Sequence, residues 1–177
     1  IAMRGAKQRG GNDFSRFDPG LEAAVRERFD LEQRLPLALE KREFIVHYQP
    51  TWNLGTGEIE SLEALVRWQH PDGPIVSPAR FIPVAEECGL IGAVGDFVLS
   101  SACRQFMQWQ AELGPSAPRL LAVNLSRAQL TQTGFVARVE DLLRSNGMPA
   151  HCLQLEITES LAAQDEAVQA CLHELKA

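Results

Sequence analysis

Apolar residues along the chain change their period several times, and each change marks an element. From Leu21 to Lys41 they recur at Leu21, Val25, Leu31, Leu35, Ala38 and Leu39, the spacing of an amphipathic helix. Pro36 lies inside that stretch and predicts a kink or restart, because proline removes a helical hydrogen bond and crowds the preceding turn. Phe44, Val46 and Tyr48 then alternate with Ile45, His47 and Gln49, which reads as a strand ended by Pro50. Residues 59 to 68 read as a second strand. The Asn53-Leu54-Gly55-Thr56-Gly57 connection is far shorter than the dozen or so residues a parallel crossover needs, so the pair should form an antiparallel hairpin.

Downstream, helix and strand alternate. Ser77 and Pro78 have the character of an N-cap and first-turn residue for a helix that stops near Gly89. A second helix spans about Gly92 to Leu113 and is ended by Gly114 and Pro115. Arg119 to Leu125 is a short apolar strand, and Ser126-Arg127-Ala128-Gln129 has capping-box spacing for a helical region reaching Asn146. Gly147 and Pro149 close it, Cys152 to Thr158 makes the next strand, and Leu161 to Lys176 the next helix. This order predicts an α/β fold with parallel strands after the opening hairpin.

Strands covered on both faces should read as continuous apolar runs, yet three strands here carry polar residues on one face. In the second strand Leu62, Ala64, Val66 and Trp68 share one face, leaving Glu63, Leu65 and Arg67 on the other. In the later strands Asn124 opposes Val123 and Leu125, and Glu156 opposes Leu155 and Ile157. Each polar group sits late in its strand. In a barrel of parallel strands such positions face the active-site mouth, where Glu63, Asn124 and Glu156 would offer hard oxygen ligands. That donor set suits Mg²⁺ or Mn²⁺ better than zinc or copper. Arg67 would balance part of the charge or hold a phosphate in bidentate fashion. Spacing alone does not separate this metal site from ordinary solvent-facing strand residues.

Composition narrows the class. With 177 residues, 45% hydrophobic and 23% charged, the chain has the make-up of a soluble globular protein. It contains neither a membrane-span-length apolar run nor a signal-peptide pattern, so a cytoplasmic setting without membrane contact is expected. Cys88, Cys103, Cys152 and Cys171 show no metal-type spacing and read as free thiols. A net charge of -6 argues against a duplex nucleic-acid surface while allowing a small phosphorylated ligand. The first residue is not methionine and the last residues read as helix, so both ends are expected to be cut.

Five words are more specific than any of this. Tyr48-Gln49-Pro50, Glu63-Ala64-Leu65-Val66-Arg67-Trp68, Phe81-Ile82-Pro83-Val84-Ala85-Glu86, Val123-Asn124-Leu125-Ser126 and Glu156-Ile157-Thr158-Glu159 resemble, in order and spacing, those of EAL-type cyclic-di-GMP phosphodiesterases. The resemblance implies an EAL-type (β/α)8 TIM-like barrel with an antiparallel first strand, of which about the first half is expected here. It implies hydrolysis of cyclic di-GMP to linear pGpG with Mg²⁺ or Mn²⁺, two ions in the complete domain. By position, Glu63, Asn124 and Glu156 match the family's metal ligands, Gln49, Leu65 and Arg67 its dinucleotide-lining residues, and Glu159 the glutamate that holds a neighbouring catalytic loop. The family's aspartate pair, catalytic lysine and later glutamate and glutamine are expected beyond Ala177, so the chain alone is expected to be inactive. A degenerate EAL domain that binds cyclic di-GMP without cleaving it is the alternative.

Residues 1–20, with Ala2-Met3, Ala6-Lys7 and Gly10-Gly11-Asn12, resemble the end of a GGDEF domain, with Arg4 where tyrosine is common. Residues 21–42 would then be an interdomain linker helix, a usual place for homodimer contacts, or a helix packed on its own barrel. Residues 43–177 would be the N-terminal part of the EAL domain.

Overall fold

The computed structural model describes residues 19–71, 73–158 and 166–176, so residues 1–18 of the GGDEF-like segment, Glu159 and the start of the last predicted helix lie outside the described residues. Helix α1 (Pro19–Glu40) leads into strand β1 (Phe44–Trp52) and strand β2 (Ile59–Gln69), followed by the two-residue β3 (Ile75–Val76). Helices α2 (Pro78–Glu87) and α3 (Ile91–Leu113) precede β4 (Leu120–Asn124). Then come the short α4 (Arg127–Leu130), α5 (Phe135–Asn146), β5 (Leu153–Glu156) and α6 (Glu166–Lys176). Among the described residues no helix is long and apolar enough to cross a membrane.

The sheet runs β1-β2-β4-β5, with β3 also paired to β2. β1 and β2 are antiparallel, whereas β4 is parallel to both β2 and β5. The hairpin turn is held by Asn53, whose Oδ1 accepts from the Gly55 amide at 2.9 Å and the Thr56 amide at 3.2 Å. β1 continues through Pro50 instead of ending there, with Pro50 opposite Leu62. The pairing with β2 runs on past it, with Thr51 opposite Ser61 and Trp52 opposite Ile59.

Two apolar clusters cover the sheet. One joins Leu62, Ala64, Leu121 and Val123 to Val98, Ala102 and Phe106 of α3 and Phe135 of α5. The other gathers Leu35, Ala38, Phe44, Trp68, Phe81 and Val94. Phe44 and Trp68 are strand partners with rings 5.9 Å apart, and the Trp68 indole donates to Glu43 at 3.0 Å. That bond satisfies the polar atom of an otherwise fully buried side chain.

Helix α1 is unbroken at Pro36. Leu35 and Ala38, both fully buried, clamp the helix on either side of the proline, and this packing offsets the missing bond. Val25, expected on the apolar face, is exposed with Phe29. The inward face of α1 is therefore confined to its second half. The region predicted as one helix from Ser126 to Asn146 is two helices. Gly134 at φ 75° occupies a left-handed conformation that turns the chain before α5, one that glycine adopts without a steric cost.

Candidate functional site at the strand ends

The registers decide which side chains share a face. In the antiparallel pair Gln49 lies opposite Glu63, His47 opposite Leu65 and Ile45 opposite Arg67. In the parallel pairs Glu63 is level with Ala122 and Gln154, and Asn124 with Glu156. Directly paired residues point to the same side of a sheet. Gln49, Glu63, Leu65, Arg67, Asn124 and Glu156 therefore share the face opposite the α3-covered core. Glu63 sits one pleat deeper than Asn124, and the two side chains meet across that step, with Asn124 Nδ2 donating to Glu63 Oε1 at 2.7 Å. Glu156 Oε1 accepts from Gln154 Nε2 at 3.0 Å.

The backbone adds a second tie, since the Leu125 amide donates to the Glu156 carbonyl at 2.8 Å. Asn124 and Glu156 are thus fixed as a unit at the C-terminal ends of β4 and β5. Arg67 bends back to donate to the Val66 carbonyl at 2.8 Å. Among the described residues it forms no ion pair with Glu63 or Glu156. A cavity of about 290 Å³ opens beside it, lined by Leu65, Arg67, Pro78, Ile82, Asn124 and Gln129 among others. No three His, Cys, Asp or Glu side chains converge among the described residues, so the oxygen-rich set here depends on the amide of Asn124. Two carboxylates and an amide oxygen nonetheless match the donors that Mg²⁺ and Mn²⁺ prefer.

The EAL domain family model matches residues 32–177. The chain belongs to the EAL domain family. The EAL chain is 40% identical over 165 residues to the bifunctional diguanylate cyclase/cyclic di-GMP phosphodiesterase MucR of Pseudomonas aeruginosa, covering 93% of this chain and 24% of that protein. It is 36% identical to the oxygen sensor protein DosP of Escherichia coli, covering 93% of this chain and 20% of that protein. The chain therefore spans about a fifth to a quarter of these curated relatives.

The structure of the PaMucR phosphodiesterase in complex with c-di-GMP superposes with a TM-score of 0.75 at 39% identity, covering 83% of this chain and 59% of that one. The c-di-GMP-bound FimX EAL domain from Pseudomonas aeruginosa gives 0.66 at 26% identity, covering 82% of this chain and 54% of that one. The fold is that of the EAL α/β barrel, with part of the barrel's strands present in this chain.

Sequence reasoning missed three polar residues near the site. His47 is exposed on the site's face, level with Leu65. The alternation of β1 already put it beside Gln49, and only the register put it beside Leu65. Gln154 touches Glu156. Gln129, recognised only as a capping residue, is 2% exposed and lines the cavity.

Proposed function

We propose that the EAL domain to which this chain belongs hydrolyses cyclic di-GMP to linear pGpG with Mg²⁺ or Mn²⁺. The observation that carries this reading is the contact of Glu63 with Asn124 across one pleat, with Glu156 level with Asn124 on the next strand. Glu63, Asn124 and Glu156 would hold the ion through oxygen atoms, Asn124 turning its amide so that Oδ1 replaces Nδ2. A divalent ion so held would supply Lewis-acid stabilisation of charge developing on the phosphodiester and would help activate a water. Arg67 fixes a phosphodiester oxygen by paired hydrogen bonds, and Leu65 and Gln49 shape the surface on which the dinucleotide lies. Glu159 lies outside the described residues, and only the family resemblance supports a role for it.

The bifunctional MucR, in which the same activity stands beside a cyclase, supports assigning residues 1–20 to a preceding GGDEF domain and 21–42 to a linker that can serve a homodimer. A nucleotide second messenger as substrate is consistent with a cytoplasmic domain. The test is turnover of cyclic di-GMP by the protein carrying the complete domain, with Mg²⁺ or Mn²⁺, beside Glu63→Gln. Hydrolysis that falls by about 10²–10³-fold in the variant is expected for the loss of a charge-stabilising group. Equal rates would refute the ligand role, and tight binding without turnover in the native protein would establish the non-catalytic receptor instead.

A further inference from the structure

Behind the strand end that carries Asn124 lies a buried polar side chain. Gln129 is 2% exposed, the single polar residue among the buried ones described. Its Oε1 accepts from the Ser126 amide at 3.1 Å and from the Ser126 hydroxyl at 3.0 Å, while the Gln129 amide returns a bond to Ser126 Oγ at 3.4 Å. Because the Ser126 amide can only donate, the oxygen must face it. The nitrogen is left against α3 with no hydrogen-bond partner.

A buried donor without a partner is costly, and an apolar side chain of similar size would avoid that cost. The oxygen's grip on Ser126, two residues beyond Asn124, is what an apolar residue cannot supply. Gly95 makes the arrangement possible, since a Cβ there would overlap the Gln129 amide. Gly92, one turn earlier, offers a contrast. A Cβ there would meet Gln132, which is exposed and can swing away, whereas buried Gln129 cannot.

We propose that Gln129, seated on Gly95, is a positioning residue that holds the Asn124-Leu125-Ser126 turn so that Asn124 meets Glu63. The inference rests on the metal-site reading given above. Leu125 is bonded to the Glu156 carbonyl from the same turn, so displacing Gln129 disturbs two of the three ligand positions together.

The experiment measures Mn²⁺ affinity by electron paramagnetic resonance, and kcat and KM for cyclic di-GMP, on the protein carrying the complete domain. Gly95→Ala and Gln129→Met should each weaken Mn²⁺ binding by about tenfold or more and lower kcat, leaving KM within about twofold, as loss of an outer support does. Gly92→Ala should change none of these. In the double variant Gly95→Ala/Gln129→Ala the added methyl fills vacated space, so it reports on the site even where Gly95→Ala alone does not fold. Unchanged Mn²⁺ affinity in Gln129→Met and the double variant overturns the inference. Glu63→Gln separates the two ideas. If it also keeps native Mn²⁺ affinity, the metal site itself fails and the positioning role with it. If it alone loses the ion, only the positioning role fails.

Discussion

The two faces of β2 are one side chain apart and follow opposite rules. Leu62, Ala64 and Trp68 are buried against helices, while Glu63, Leu65 and Arg67 stay partly exposed on a face shared with Gln49, Asn124 and Glu156. A Val, Leu or Phe fully buried at such a position contributes about 1.5–3 kcal/mol. The polar face forgoes that gain, and the packed face must hold the strand for both. The difference separates residues that keep β2 in place from residues that β2 presents.

Substitutions on the two faces should therefore fail in different ways. The largest effect is expected for Trp68→Ala, which opens a cavity beneath Phe44 and Phe81 and should cost about 3–5 kcal/mol in urea unfolding. A loss below about 1 kcal/mol would mean that the second cluster is not a core. On the other face Glu63→Gln should leave the unfolding midpoint within experimental error of native while hydrolysis collapses. If it unfolds the domain instead, the division between faces is wrong.

Arg67→Lys is expected to be milder, raising KM by about tenfold because a lysine cannot form the paired bonds of a guanidinium. Unchanged KM would remove Arg67 from the phosphate. The smallest effect concerns the extension of the packed face into β1. Tyr48, opposite Ala64 and edge-on to Trp109 at 4.7 Å, has its phenol pushed up from 10.0 to about 12 by burial, with Cys103 adding to the shift. The folded state favours the neutral phenol, so its contribution is full below pH 10 and is lost as pH rises toward about 12. Since Tyr48 is the chain's single tyrosine, tyrosinate absorbance reads it directly. A folded-state midpoint near 10 would show that Tyr48 is not packed.

Much of this was legible beforehand because it depends on local chemistry. The short Asn53–Gly57 connection dictated a hairpin, and Ser126 and Gln129 form the capping box their spacing implied. Period-two alternation put Glu63, Leu65 and Arg67 on one face without any knowledge of neighbours. Where expectation departed from structure, distant contacts were responsible. Pro36 stays within a helix because Leu35 and Ala38 are buried around it, and Pro50 stays within a strand because β1 keeps its register with β2 on both sides of it. β3 has only two residues, too few for any periodic signal.

By itself the sequence determined the main alternation of strands and helices, the polar face of each strand and membership of the EAL family, since these follow from spacing and residue type. Only the tertiary structure decided that Glu63 reaches Asn124 across a pleat, that Glu156 stands level with Asn124, and that Gln129 rests on Gly95. Those facts depend on strand register and on atoms far apart in the chain, and a one-dimensional pattern carries neither.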